Sequence, residues 1–307
     1  MPNKTYIIGH KNPDLDSVAA AISLSVLRNK LNKDNENEFV PVIAGNINLE
    51  TKYILEKFNF EIPEILEDAA DQKIILVDHN EENQSIARNE NTKILEIIDH
   101  HKLNFAYSEP IPVLIQAWGS SCSIIAQEFF RNSIEINKNL AGLMLAAILV
   151  DTVITKSPTC TEADIEIIKK LAFITDIKDW QEFGMEIFKV RSSVAQLSNT
   201  QIIKSDFKDF EASYGKVGIG QVETVDLDEF QSRVNELINE LQNLQTSEDY
   251  HTVILFITDI MDEGSLFLVA SQDVSVFEKA FQTQLENNQV YLKNIISRKK
   301  QVAPLLT

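Results

Sequence analysis

Cysteine is almost missing from these 307 residues: Cys122 and Cys160 stand far apart, with no CxxC spacing. That excludes a disulfide framework and a thiolate metal site, and it fits a reduced compartment. Glycine and proline are also scarce, at 9 and 8, and with 44% apolar and 24% charged residues the composition is that of an ordinary globular chain. Basic residues are outnumbered, 28 against 46 acidic ones, for a formal net charge of -18. A general binder of nucleic acid or of anionic membranes would show a basic face, so neither partner is expected. Any local basic cluster in such a chain is correspondingly conspicuous. Long hydrophobic runs are absent as well. The longest, near AGLMLAAILV, is about half of what spans a bilayer. The opening MPNKTYIIGH lacks the apolar core of a signal peptide. A cytoplasmic protein is therefore expected, and neither internal repeats nor low-complexity segments interrupt it.

What is present alternates between strand-like and helical patterns, over a length that suggests two domains. TYIIG (5–9) reads as a strand, and DSVAAAISLSVLRNKLN (16–32) as a helix capped by Asp16 or Ser17. FVPVIAG (39–45) and ETKYILEKFNF (50–60) repeat that pair. KIILVD (73–78) and ILEIID (94–99) are the continuous apolar runs of buried parallel strands. VLIQAW (113–118), a helix over 121–131 and a strongly apolar helix over 138–154 follow. The alternation predicts an α/β domain with a mostly parallel sheet over residues 1–190. A polar stretch places a linker at about 188–200. Residues 198–307 read as a smaller α+β domain, with strands at 253–260 and 265–271, an amphipathic helix in FQSRVNELINELQNLQ and another helix over 273–286.

Four of the five histidines crowd the ends of apolar runs. His10, Asp14 and Asp16 follow the first strand, Asp78 ends the run 73–78, and Asp99, His100 and His101 end the run 94–99. Asp151 breaks the apolar helix. In an open parallel sheet ligands bind just beyond the carboxyl ends of the strands, so these groups are expected to meet. Each alone has a plain explanation. Asp16 could cap a helix, and the Asp-His-His triplet could be a solvated strand end. Asp151 is harder to dismiss, because an unpaired buried carboxylate is costly. Carboxylates and imidazoles without thiolates suit manganese, iron or magnesium better than structural zinc. Their number favours two ions sharing a carboxylate, the arrangement that clamps both oxygens of a phosphoryl displacement.

A second cluster, SRKKQ (297–301), sets Arg298, Lys299 and Lys300 in succession. Such a run is commonly a solvated face. Arginine also offers a planar fork to phosphate, and lysine a point charge. In an extended segment Arg298 and Lys300 would face away from Lys299.

The motifs GHKNPDLDS, VDHN, IDHHK, LVDTVITKSPT and SRKKQ together resemble the manganese-dependent family II inorganic pyrophosphatases of the DHH phosphoesterase superfamily, over nearly the whole chain. The first four mark the superfamily broadly, and SRKKQ points to the pyrophosphatase branch. The resemblance implies a DHH domain followed by a DHHA2-type domain, with pyrophosphate hydrolysed to two phosphates in the cleft between them by a metal-bridging hydroxide. It implies His10, Asp14, Asp78 and Asp151 at one Mn2+ and Asp16, Asp78, His100 and Asp151 at the other, with Co2+ as a substitute and Mg2+ arriving with the substrate. His101 would contact the electrophilic phosphate. Arg298, Lys299 and Lys208 would bind phosphate, with Lys204 a competitor for the role of Lys208. Asp99 and His79 would orient ligands. A homodimer is also implied. One departure is GSSCS (119–123) where relatives carry a GCTAT-like stretch, and no regulatory insert fits after KSPT.

The nearest alternative is a DHH-type phosphodiesterase acting on short oligonucleotides or polyphosphate. Such enzymes end in a Gly-Gly-Gly-His type loop and stack bases on aromatics, and the last hundred residues show neither. A silent phosphate sensor on the same fold would have lost a ligand, and every matched position is filled.

Overall fold

The computed structural model describes residues 3–32, 37–192 and 197–306. The chain divides into two units, Met1–Arg191 and Ser192–Thr307. The middle of the expected linker, residues 193–196, lies outside the described residues.

The first unit contains β1 (Asn3–Ile8), α1 (Leu15–Leu31), β2 (Asn37–Ile43), α2 (Leu49–Lys57), β3 (Glu64–Ile65), β4 (Lys73–Val77), β5 (Lys93–Asp99), β6 (Val113–Ile115), α3 (Ser121–Arg131), α4 (Lys138–Asp151), α5 (Glu162–Thr175) and α6 (Trp180–Ser192). Its strands form one sheet in the order β3-β2-β1-β4-β5-β6, parallel throughout. The order reverses between β1 and β4, which opens a crevice beyond their carboxyl ends. α1 and α4 are apolar on nearly every side and lie buried, as such composition requires. The cap of α1 is Asp14, whose carboxylate accepts the Ser17 N–H at 3.0 Å. Asp16 stands inside the first turn and is fully buried. The helix thus begins one residue before the predicted start, which frees Asp16 for another task.

The second unit contains α7 (Asn199–Lys204), β7 (Phe207–Ala212), β8 (Gly215–Thr224), α8 (Asp228–Gln231), α9 (Val234–Ser247), β9 (Thr252–Asp259), β10 (Gly264–Ser271), α10 (Ser275–Phe281), β11 (Gln289–Lys293), a π-helical turn over Arg298–Val302 and α11 (Ala303–Leu306). The sheet order is β11-β10-β9-β8-β7, antiparallel except for the parallel pair β8 and β9. Every residue of β9 is buried. One face of the sheet packs on α9 and the other on α10 and the C-terminal segment. β7 and β8 were not expected. β7 is an edge strand with charged Lys208, Asp209 and Glu211, and β8 carries three glycines, so neither shows the hydrophobic pattern that announces a strand. The glycines have a steric reason. A Cβ on Gly218 would lie 2.4 Å from Phe207, and one on Gly220 would lie 2.5 Å from the Ile203 carbonyl.

Candidate metal centre

The crevice between β1 and β4 receives the histidines and aspartates singled out above, and Asp78 stands at its middle. Its backbone adopts the left-handed conformation, φ 60°, while its N–H still bonds the Ile98 carbonyl at 3.0 Å. Aspartate tolerates this conformation better than a branched residue, and such geometry commonly marks functional turns. On one side of Asp78, Oδ2 lies 3.4 Å from His10 Nε2, which in turn is 3.5 Å from Asp14. On the other, Oδ1 lies 3.2 Å from His100 Nε2. Ligand atoms of His10, Asp14 and Asp78 lie within 4.8 Å of one another, and so do those of Asp16, Asp78, His100 and Asp151. A third such trio is Asp78, His100 and His101. Two groups of donors therefore meet at a single carboxylate. Asp151 joins the His100 group but not the trio of His10.

Surrounding groups orient these donors. His100 turns Nδ1 to the Trp118 carbonyl at 3.1 Å, leaving Nε2 to face the carboxylates, the usual arrangement of a metal-binding imidazole. Buried Asp99 takes His101 Nδ1 at 2.9 Å and both the His100 and His101 N–H groups on one oxygen, and on the other it accepts the Asn80 amide at 2.6 Å. His101 is half exposed, with Nε2 available to a ligand. His79 is buried between the Val77 carbonyl and Ser85 Oγ, each at 2.9 Å, and bonds none of the clustered carboxylates. Beside the cluster, His10, Asn12, Asp78, His79, Asn80, Glu81, Gln84 and His101 line a pocket of about 220 Å³.

Charge is poorly balanced within the cluster. Burial and the nearby Asp78 raise the Asp16 carboxyl to about 6, and burial with Asp16 and Asp78 raises Asp151 well above the carboxylate range. Burial opposes protonation of His10 and His100. Asp14 and Asp78 nonetheless lift His10 to about 10, while Asp78 and Asp16 lift His100 to about 9. Burial works against the Asp78 carboxylate too, but the two imidazoles hold it well below its usual range. The arrangement draws positive charge, and a divalent ion fits the donors offered. No thiolate competes, because burial and Asp16 push the Cys122 thiol well above its ordinary value.

Sequence reasoning left open whether the hydroxyls of GSSCS matter. Ser120 caps α3 and donates to Asp16 Oδ1 at 2.6 Å, and Ser121 Oγ donates to Asp78 Oδ1 at 3.0 Å. A serine pair just before an amphipathic helix was the available signal, readable as a cap but not as a partner of distant aspartates. Asn80, directly after the Asp-His pair, was missed as well.

In the second unit Lys208 and Arg298 line one pocket, of about 530 Å³, together with Gln221, Glu223 and Ser297. Segment 298–302 winds as a π turn and is not extended. Arg298 is buried, its Nη2 bonding both Asp206 oxygens at 2.7 and 2.9 Å and its Nη1 the Asp206 carbonyl at 2.5 Å. Lys204 is turned elsewhere, to Glu248 at 3.2 Å and over the Phe207 ring. The Lys299 side chain lies outside the described residues.

Comparison with known proteins places these features. The family described as "DHH family, N-terminal domain" matches residues 4–148, and "DHHA2 domain" matches residues 185–307. A manganese-dependent inorganic pyrophosphatase of Methanocaldococcus jannaschii is 43% identical, covering 98% of this chain and 97% of its own. Another, of Methanothrix thermoacetophila, is 41% identical over 100% of this chain and 98% of its own. A crystal structure described as a putative family II inorganic pyrophosphatase of Methanococcus jannaschii, 43% identical and covering 98% of both chains, superposes with a TM-score of 0.64.

Proposed function

The chain belongs to the manganese-dependent inorganic pyrophosphatases, with a DHH domain followed by a DHHA2 domain, and we propose that it hydrolyses inorganic pyrophosphate to two phosphates. The observation that carries this reading is the sharing of Asp78 between two donor groups, His10 with Asp14 and Asp16 with His100 and Asp151. These six residues would hold two Mn2+ ions, or Co2+ in their place, which when bound would supply acidification of a water and neutralisation of phosphate oxygens.

The chain's own groups do the rest. His101, fixed through Nδ1 by Asp99, presents Nε2 to the electrophilic phosphate. Lys208 and Arg298, joined by Lys299, bind phosphate oxygens and offset the charge of the substrate and of the leaving phosphate. Asp206 grips one edge of the Arg298 guanidinium, so the fork is oriented before substrate arrives. Between the two lysines, the pocket position of Lys208 and the engagement of Lys204 with Glu248 favour Lys208. Substrate enters as its Mg2+ complex. The enzyme works as a homodimer in the cytoplasm, with no nucleic-acid or membrane partner. No helix among the described residues is long and apolar enough to cross a membrane.

The test is phosphate release from pyrophosphate, with Mn2+ or with chelator, by the wild type and by Asp78→Asn. Asparagine keeps both the shape and the left-handed backbone at this position. Release that needs Mn2+ and disappears in the variant supports the reading. Mn2+-loaded wild type that leaves pyrophosphate intact but cleaves dinucleotides overturns it in favour of the phosphodiesterase alternative.

A further inference from the structure

Among the described bonds, the start of α3 reaches Asp16 and the shared Asp78 but neither His10 nor Asp14. Asp16 Oδ1 accepts the Ser120 hydroxyl at 2.6 Å and the Cys122 N–H at 3.0 Å, and Oδ2 accepts the Ser121 N–H at 2.7 Å. Ser121 Oγ reaches past Asp16 to Asp78, 3.0 Å from Oδ1. That oxygen faces His100, whereas Oδ2 faces His10. Ser120, Ser121 and Asp16 are fully buried. On the other half, Asp14 is held by the Ser17 N–H of α1.

We propose that Ser121 is a positioning residue for the shared carboxylate. Its hydroxyl directs Asp78 Oδ1 toward the His100 half and so sets the affinity for a divalent cation there, with little effect on the His10 half. The inference rests on the two-ion reading above. Three features support it. The donor sits on the first turn of a packed helix, so its position is fixed. Asp78 is buried, and water cannot replace a lost hydrogen bond. The imidazoles of His10 and His100 stand 3.4 and 3.2 Å from the two oxygens, and the fixed hydroxyl at 3.0 Å adds a closer restraint on Oδ1. Outer partners of this kind typically contribute about 10- to 100-fold in metal affinity.

Serine at 121 keeps the hydroxyl that a threonine would offer, and Ser120 adds a second one to Asp16.

The test is Mn2+ binding by the full-length, chelator-stripped protein, read from the electron paramagnetic resonance of free Mn2+. Wild type is expected to bind two ions per chain, and Ser121→Ala to weaken one binding event about tenfold. Ser121→Thr, which keeps the donor, should bind within about twofold of wild type. Assignment uses two backgrounds. With His10→Gln the remaining ion should be sensitive to Ser121→Ala, and with His100→Gln it should not. Far-UV circular dichroism confirms that each variant is folded. Equal weakening in both backgrounds, or none in either, overturns the role of Ser121. Fewer than two ions on the wild type overturns the two-ion reading itself, whatever Ser121→Ala does.

Discussion

In the first unit the carboxylates at the heart of the candidate centre are enclosed: Asp16 and Asp99 are fully buried and Asp78 is 2% exposed, while Asp14 and His101 at its rim are about half exposed. They hold one another in place through imidazoles, serine hydroxyls and backbone N–H groups, with no lysine or arginine among the bonds described. In the second unit Lys208 stands exposed on the edge strand β7, and Arg298 is anchored by the carboxylate of Asp206. The contrast separates two ways of handling charge. Buried carboxylates without a permanent counter-charge leave a deficit that a metal ion removes, and they depend on shape. An exposed cation such as Lys208 depends mainly on charge, because water already stabilises it, whereas buried Arg298 needs the Asp206 carboxylate beside it.

The sharpest challenge to that contrast is an isosteric change in the buried cluster. Asp151→Asn should lower turnover by about a thousandfold, since a group worth several kcal/mol to bound-ion chemistry is lost without a change of shape. A steady-state phosphate assay at saturating Mn2+ checks it. If the variant stays within about tenfold of wild type, Asp151 does not belong to the centre.

A smaller loss is expected from the exposed cation. Lys208→Ala should reduce kcat/KM by about 10- to 100-fold, the worth of one charge-assisted hydrogen bond. Lys208→Arg should restore most of it. Failure of arginine to do so would show that shape matters in this pocket as well.

Proton competition sharpens the comparison further. In the metal-free chain His10 and His100 have pKa values raised from 6.5 to about 10 and about 9. The stability they give is complete below about pH 6.5 and drains away as pH climbs through 9 and 10. Asp16, raised from 3.8 to about 6, acts in the same sense: it favours the folded state at low pH and ceases to do so as pH passes 6. Metal-free protein should therefore melt earlier at pH 8.5 than at pH 6.5. Mn2+ displaces those protons, so its affinity should rise over the same interval. Thermal unfolding with and without Mn2+ checks both; a stabilisation by Mn2+ that shrinks with pH would contradict the charge deficit.

The smallest effect belongs to the neighbouring lysine. Lys204→Ala should leave kcat/KM within about twofold, because its ammonium is partly exposed and already paired with Glu248. A loss like that of Lys208→Ala would exchange the two assignments.

The parts of this architecture that sequence could reveal are those with a local signature. Continuous apolar runs announced β4 and β5, and the polar residues at their ends foretold that Asp78, His100 and His101 would come together, because the carboxyl ends of parallel strands share one crevice. Three things stayed hidden. Ser120 bonds Asp16 across 104 positions, and nothing in a hydroxyl's sequence neighbourhood identifies so distant a partner. The bond of Asp206 to Arg298 spans 92 positions and was invisible for the same reason. β7 and β8 escaped because an edge strand tolerates charge and a tightly packed one requires glycine, and both erase hydrophobic alternation. The cap of α1 was misplaced for a local reason: three aspartate or serine residues near its start can each cap a helix.

Asp78 joins donors that follow β1 and β5 and donors that stand in α1 and α4, from His10 to Asp151. No short piece of the chain contains the site, so an unfolded or half-built molecule has nothing comparable to offer an ion. Binding is then linked to folding by mass action, and for each ion bound a tenfold rise of free Mn2+ above its dissociation constant adds about 1.4 kcal/mol to the folded state. In a manganese-starved cell the same chain would spend more time open to proteases. The amount of enzyme, as well as its activity, would follow the metal supply.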